Sequence, residues 1–83
     1  MDRQQIRDEM MTIMAVVDEK FAGRTDITDE TTIRDGLGLD SLQVTEVLFE
    51  VEERLRVKIA DEEARQLRTV GDLISLIEQK KKA

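Results

Sequence analysis

Apolar residues recur at helical spacing in three stretches of the chain. Ile6, Met10, Ile13, Met14, Val17 and Phe21 form one stripe, and Asp2 with Gln5 three residues later provides a capping-box start for it. The pattern predicts a first helix from about residue 3 to about Phe21, with Gly23 as its stop. Val44, Val47, Leu48, Val51 and Leu55 form a second stripe, predicting a helix from about Ser41 to Leu55. Asp40 and Gln43 are its capping pair, while Leu42 and Phe49 fall beside the stripe and are expected to be partly exposed. Val70, Leu73, Ile74 and Ile77, with Leu76 alongside, make the third stripe behind a Thr69–Asp72 capping box. A short helix from about Glu62 to Gln66, capped by Asp61, fits between the last two. The expected architecture is all-α: a four-helix bundle of three longer helices and one short one, forming a single domain over residues 1–83.

Residues 23–39 are too long for a simple turn in so small a domain, and such loops are usually functional or packed by their own side chains. Ile27, Ile33, Leu37 and Leu39 are spaced as anchors for it, and Gly36 and Gly38 give adaptable backbone just before Asp40. The loop also holds Asp26, Asp29, Glu30 and Asp35. Their spacing does not meet the alternating ligand positions and central glycine of an EF-hand, so a solvated loop is expected, with weak cation binding as the alternative.

Composition narrows the chemistry. The 83 residues contain no cysteine and no histidine, which removes thiol nucleophiles, Ser/His and Cys/His arrangements and the common zinc sites. A non-catalytic role is expected. Thirteen basic and nineteen acidic residues give a formal charge of −6, which argues against nucleic acid and for a basic protein partner. No apolar run reaches membrane-spanning length and the first residues lack a signal-peptide core, so a cytoplasmic, membrane-free monomer is expected. Proline is absent and only Phe21 and Phe49 are aromatic, consistent with helices rather than sheets.

Two features of the second helix point to function. Ser41 falls in the first turn, beside unpaired backbone N–H groups and the positive end of the helix dipole, where an attached phosphate would be stabilised. From Asp40 to Glu53 there are five acids and no base, with Glu46, Glu50 and Glu53 along one face. Like charges four apart repel slightly, so an unbroken acidic face suggests a basic partner. The methionines of the first helix, Met10, Met11 and Met14, suit core packing and also a cavity that adapts to a variable apolar guest. The three terminal lysines are expected to be solvated.

With the helix order and Gly38-Leu39-Asp40-Ser41-Leu42 in view, the chain resembles the acyl carrier protein family. Asp35-Gly36-Leu37-Gly38 is similar to the family's loop before the attachment motif, and Glu46, Val47, Glu52 and Glu53 match the helix after it. Ile59-Ala60-Asp61-Glu62-Glu63-Ala64 and Thr69-Val70 match the third helix and the start of the fourth. The resemblance implies that Ser41, flanked by Asp40 and Leu42, carries 4′-phosphopantetheine from coenzyme A, installed by a phosphopantetheinyl transferase. It also implies an acyl chain held as a thioester and often sheltered between helices. The implied partners are acyl-transferring and condensing enzymes of fatty-acid or lipid biosynthesis, with basic docking patches. Partner contact would fall on Glu46, Phe49, Glu50, Glu52 and Glu53. Gln43, Glu50, Arg54 and Ala60 depart from the common bacterial pattern, which points to a specialised bacterial carrier serving a particular pathway. The open alternatives are an aminoacyl, peptidyl or polyketide carrier, an unmodified acidic adaptor, and a small cation-binding module.

Overall fold

The computed structural model describes residues 2–82; Met1 and Ala83, the ends of the expected single-domain span, lie outside the described residues. The four helices are α1 (Arg3–Val17), α2 (Ser41–Leu55), α3 (Asp61–Arg65) and α4 (Val70–Lys82). α1 packs against both α2 and α4, and their inward stripes meet in one core. Ile6, Ile13, Val51, Ile74 and Ile77 are fully buried there. Val44 and Leu48 pack against its edge.

The first helix ends earlier than its stripe predicts. Asp2 and Gln5 cap its start reciprocally, at 2.8 and 2.9 Å. At Asp18 the backbone turns extended, and a single 3-10 turn, Glu19–Phe21, follows. The Asp18 carboxylate accepts the Lys20 N–H at 3.1 Å. A short acidic side chain that offers the backbone its own acceptor competes with helix continuation. Phe21 still reaches the core and is buried. Gly23 follows the turn in the left-handed region, φ 74°.

The long loop is pinned as its four apolar residues predict: Ile27, Ile33, Leu37 and Leu39 are all buried. Its polar backbone is also tied down. Ile33 N–H donates to Arg68 C=O, Val70 N–H to Thr31 C=O and Gly71 N–H to Asp29 C=O, each at 2.9 Å. This stitches the loop to the α3–α4 connection, with Thr32 and Thr69 paired antiparallel. Two of the four loop acids have basic partners: Arg24 binds Asp26 at 2.6 Å, and Arg3 and Arg7 both bind Asp29. Among the described residues no three acidic side chains gather to hold a metal ion.

Two more expectations are corrected. The cap of α3 is Ala60 rather than Asp61, which is the first helical residue, and the helix ends at Arg65. Ala60 has no side-chain acceptor, so the end relies on Glu63, which accepts the Ala60 N–H at 2.9 Å. That N–H, and then Lys80, hold the Glu63 carboxyl below its ordinary range. Two of the three terminal lysines expected to be solvated make specific contacts, while Lys82 is exposed. Lys80 pairs with Glu63 at 2.9 Å, and the Lys81 ammonium donates to Leu55 C=O at 2.8 Å, closing the end of α2.

The start of α4 has a pH-dependent cap. Asp72 accepts N–H groups from Arg68 and Thr69 at 3.1 and 3.2 Å, and Thr69 Oγ1 accepts the Asp72 N–H. The Arg68 N–H first and the Thr69 N–H second lower the Asp72 pKa from its ordinary 3.8. A lowered folded-state pKa gives stability that is complete above the unfolded value and is lost as pH falls through the folded one. Asp72→Asn is therefore expected to be less stable than wild type near pH 7. In denaturant unfolding the gap should narrow as the buffer is taken from about pH 5 toward pH 3, the range of carboxylate titration.

Candidate functional site

The site is built at the start of α2. Asp40 holds extended backbone ahead of the helix, and its carboxylate accepts the Gln43 N–H at 2.8 Å. Gln43 Oε1 returns the contact to the Asp40 N–H at 3.3 Å. Of the four N–H groups that a helix start leaves without intrahelical partners, this box satisfies two. Those of Ser41 and Leu42 remain for an anion. Gly38, with φ 71°, provides the left-handed step that brings Leu39 into the core and Asp40 into its capping position. The second helix start is also tied to the end of α1, because the Gln43 amide donates to the Asp18 carboxylate at 3.2 Å.

Ser41 is exposed in the first position of α2. Its hydroxyl accepts a hydrogen bond from the Arg34 guanidinium at 3.2 Å. An exposed hydroxyl, two open N–H groups, the positive helix end and a guanidinium together fit a phosphodiester of net negative charge. Arg34 is the residue that sequence reasoning missed. It lies seven positions upstream in an aperiodic loop that also holds Arg24, and no local pattern sets it apart.

A cavity of about 440 Å³ opens beside this end of the molecule. Val44, Val47 and Leu48 of α2, Ile33 of the loop, Leu67 and Leu73 supply its apolar lining, and Ala64 of α3 leaves it room. Arg34, Asp35, Arg65 and Arg68 are the charged residues of its lining. The space is aliphatic, as expected for an apolar guest, but the methionines do not line it. Met10 and Met14 are buried in the α1 core instead. An α1 stripe faces α2 and α4, whereas the cavity lies on the α3 side.

The residues expected to meet a partner divide into two groups. Leu42 and Phe49 are exposed, at 68% and 58%, and Glu46 and Glu53 are exposed with them. Glu50 has an internal neighbour, Arg54, at 3.7 Å. Glu52 is turned inward: its carboxylate accepts the Ile59 N–H at 3.0 Å and fastens the segment after α2 to the helix. The acidic face is accordingly carried by Glu46, Glu50 and Glu53, with Phe49 among them.

Comparison with known proteins bears directly on this geometry. The family pattern described as the phosphopantetheine attachment site matches residues 5–77. The chain is 37% identical to the acyl carrier protein of Exiguobacterium sp. strain AT1b over 81 residues, covering 96% of this chain and 99% of that one. It is 39% identical over 66 residues to the acyl carrier protein of Solidesulfovibrio magneticus, covering 80% and 85%. Its fold is similar to the solved acyl carrier protein of Enterococcus faecalis, with TM-score 0.73 and 27% identity over 96% of this chain and 99% of that one. With a helix start fitted to a phosphate beside an aliphatic cavity, and a family match across nearly its whole length, this chain belongs to the acyl carrier protein family, whose cofactor is 4′-phosphopantetheine.

Proposed function

We propose that Ser41 is the attachment residue and that the α2–α3 cavity shelters the carried acyl chain. The observation that carries this reading is the exposed Ser41 hydroxyl at the α2 start, with Arg34 on its oxygen and also in the cavity lining. Asp40 keeps the helix start in register, while the Ser41 and Leu42 N–H groups and Arg34 hold the phosphate. When bound, the group supplies the thiol that a chain without cysteine lacks, and that thiol carries acyl groups as thioesters. The protein presents the cargo and excludes water from it; enzymes acting on the cargo are separate partners.

The partners in this reading are a phosphopantetheinyl transferase and acyl-transferring and condensing enzymes of fatty-acid or lipid biosynthesis. They would approach with basic patches toward Glu46, Glu50 and Glu53 and an apolar contact toward Leu42 and Phe49. The compartment is the cytoplasm, which supplies coenzyme A, and the working form is a monomer. No helix among the described residues is long and apolar enough to cross a membrane. Exposed large hydrophobic residues are confined to Val16, Leu42 and Phe49 among the described residues.

The test of the attachment reading is the intact mass of the protein before and after incubation with coenzyme A and a broad-specificity transferase. A gain of one phosphopantetheinyl group supports it. No gain, in a folded and unmodified sample, discards it and leaves the acidic adaptor as the better reading. The docking face has its own test. Reversing Glu46 and Glu53 to Lys is expected to slow transferase-dependent loading by about tenfold at low salt, since steering by complementary charge acts mainly on association. The difference should shrink at high salt with little change in stability; equal rates at low salt would refute an acidic docking face.

A further inference from the structure

We propose that Arg34 is a phosphate clamp: it holds the phosphodiester on Ser41 and turns the attached arm toward the mouth of the α2–α3 cavity. The proposal rests on Ser41 being the attachment residue.

Three observations carry it. The Arg34 guanidinium already lies on the atom that becomes the ester oxygen, donating to Ser41 Oγ at 3.2 Å. Like Arg56, Arg65 and Arg68, it forms no ion pair among the described residues, so no carboxylate competes for it, whereas Arg3, Arg7, Arg24 and Arg54 are paired. Finally, the same side chain lines the cavity, next to Ile33 and Asp35. One residue therefore touches both the anchoring atom and the wall of the space the cargo would enter.

The backbone holds Arg34 in place before any ligand arrives. On one side, Ile33 is buried and its N–H is bonded to Arg68 C=O at 2.9 Å. On the other, Gly36 N–H donates to Thr32 Oγ1 at 2.6 Å and Leu37 N–H to Thr32 C=O at 2.9 Å. The Gly36 position is too tight for a side chain, since a Cβ there would lie 2.7 Å from the Thr32 backbone nitrogen and oxygen. The segment carrying Arg34 is thus a closed turn, and little loop ordering remains for phosphate binding to bring about.

Esterification replaces the hydroxyl with a phosphodiester whose unesterified oxygens lie two bonds beyond Oγ, across the phosphorus, and share a negative charge. A weak neutral acceptor becomes a charged one, and the guanidinium fork can engage two oxygens at once. Held from the cavity side, the phosphate directs the arm along the cavity mouth rather than out from the helix end.

The experiment loads wild type, Arg34→Ala, Arg34→Lys and Arg34→Gln with the unacylated arm, verifies each by intact mass, and records phosphorus NMR relaxation and chemical shift. Low salt and about 1 M salt are compared, because the Debye length falls to about 3 Å at the latter. In wild type the phosphorus is expected to relax faster at low salt and to move toward the Arg34→Ala values as salt rises. Arg34→Ala should shift the clamped population by about two- to fivefold, the span of an exposed ion pair, and lose the salt response. Arg34→Lys, a point charge without the fork, should recover part of the response, whereas Arg34→Gln should not; a purely structural role for Arg34 would not follow charge in this way. Arg34→Gln replaces Arg34→Ala if the latter loads too slowly to measure. Loaded wild type and loaded charge-free variants with the same relaxation and salt response overturn the clamp alone. A wild type that gains no mass overturns the attachment reading and the clamp with it.

Discussion

Ser41→Ala is expected to take covalent loading to zero while leaving the fold intact. The side chain has one structural contact, the hydrogen bond from Arg34 on the surface. Helix geometry at this position depends on Asp40, Gln43 and the Ser41 carbonyl, which accepts from Thr45 Oγ1 at 3.0 Å. Alanine keeps that carbonyl and is a good residue for the first turn of a helix. Denaturant unfolding should therefore agree with wild type to within about 0.5 kcal/mol, as for most surface substitutions. Intact mass after incubation with transferase and coenzyme A should show no gain in Ser41→Ala and a complete gain in wild type. Loading that persists in the variant would place the attachment elsewhere in the chain.

The largest effect on stability is expected at Phe21. Its ring is buried beyond the end of α1, and the Lys20 ammonium and Arg24 guanidinium lie 5.2 and 5.7 Å from its centroid. Phe21→Ala removes the ring and leaves a void that the short 3-10 turn cannot fill without dragging the loop inward. Such truncations cost about 3–5 kcal/mol. Whole-protein stabilities are about 5–15 kcal/mol, and a chain of this size sits toward the lower end. The unfolding midpoint should fall steeply with the denaturant slope unchanged. A loss below about 1 kcal/mol, the range of an ordinary surface change, would mean that the turn contributes little to the core.

The helices were legible because their causes are local. Stripes at helical spacing and the Asp2, Asp40 and Thr69 boxes lie within a few residues of the structure they dictate. The four loop anchors were legible for a related reason: in an aperiodic polar segment, isolated large aliphatic residues have nowhere to go but inward. What the sequence did not show depends on backbone partners, near or distant along the chain, that carry no compositional mark. Nothing in Asp18 tells a reader that its carboxylate will take the Lys20 N–H, so the stripe through Phe21 reads as one continuous helix. The pairing of Thr32 with Thr69 runs through main-chain groups that every residue possesses, and it carries no compositional mark. It sets the place of the turn holding Arg34, and hence of the guanidinium at Ser41. Glu52 reads as one more member of an acidic face because its partner, the Ile59 N–H, is a backbone group. The methionines of α1 were misleading for a different reason: their flexibility suits a cavity, but the stripe that holds them faces two other helices.

The short helix α3 has no buried residue, although it forms one side of the cavity. The opposite side belongs to α2, whose Val47, Val51 and Leu55 are buried in the core that α2 shares with α1. The molecule thus pairs a stiff frame with one yielding wall. In the proposed role, a longer acyl chain would be housed by displacing α3 outward, at the cost of its surface contacts, while the core side chains keep their places. Capacity for cargo would then be set by how far a single short turn can be pushed, so that one carrier would follow a chain as it lengthens without refolding at each step.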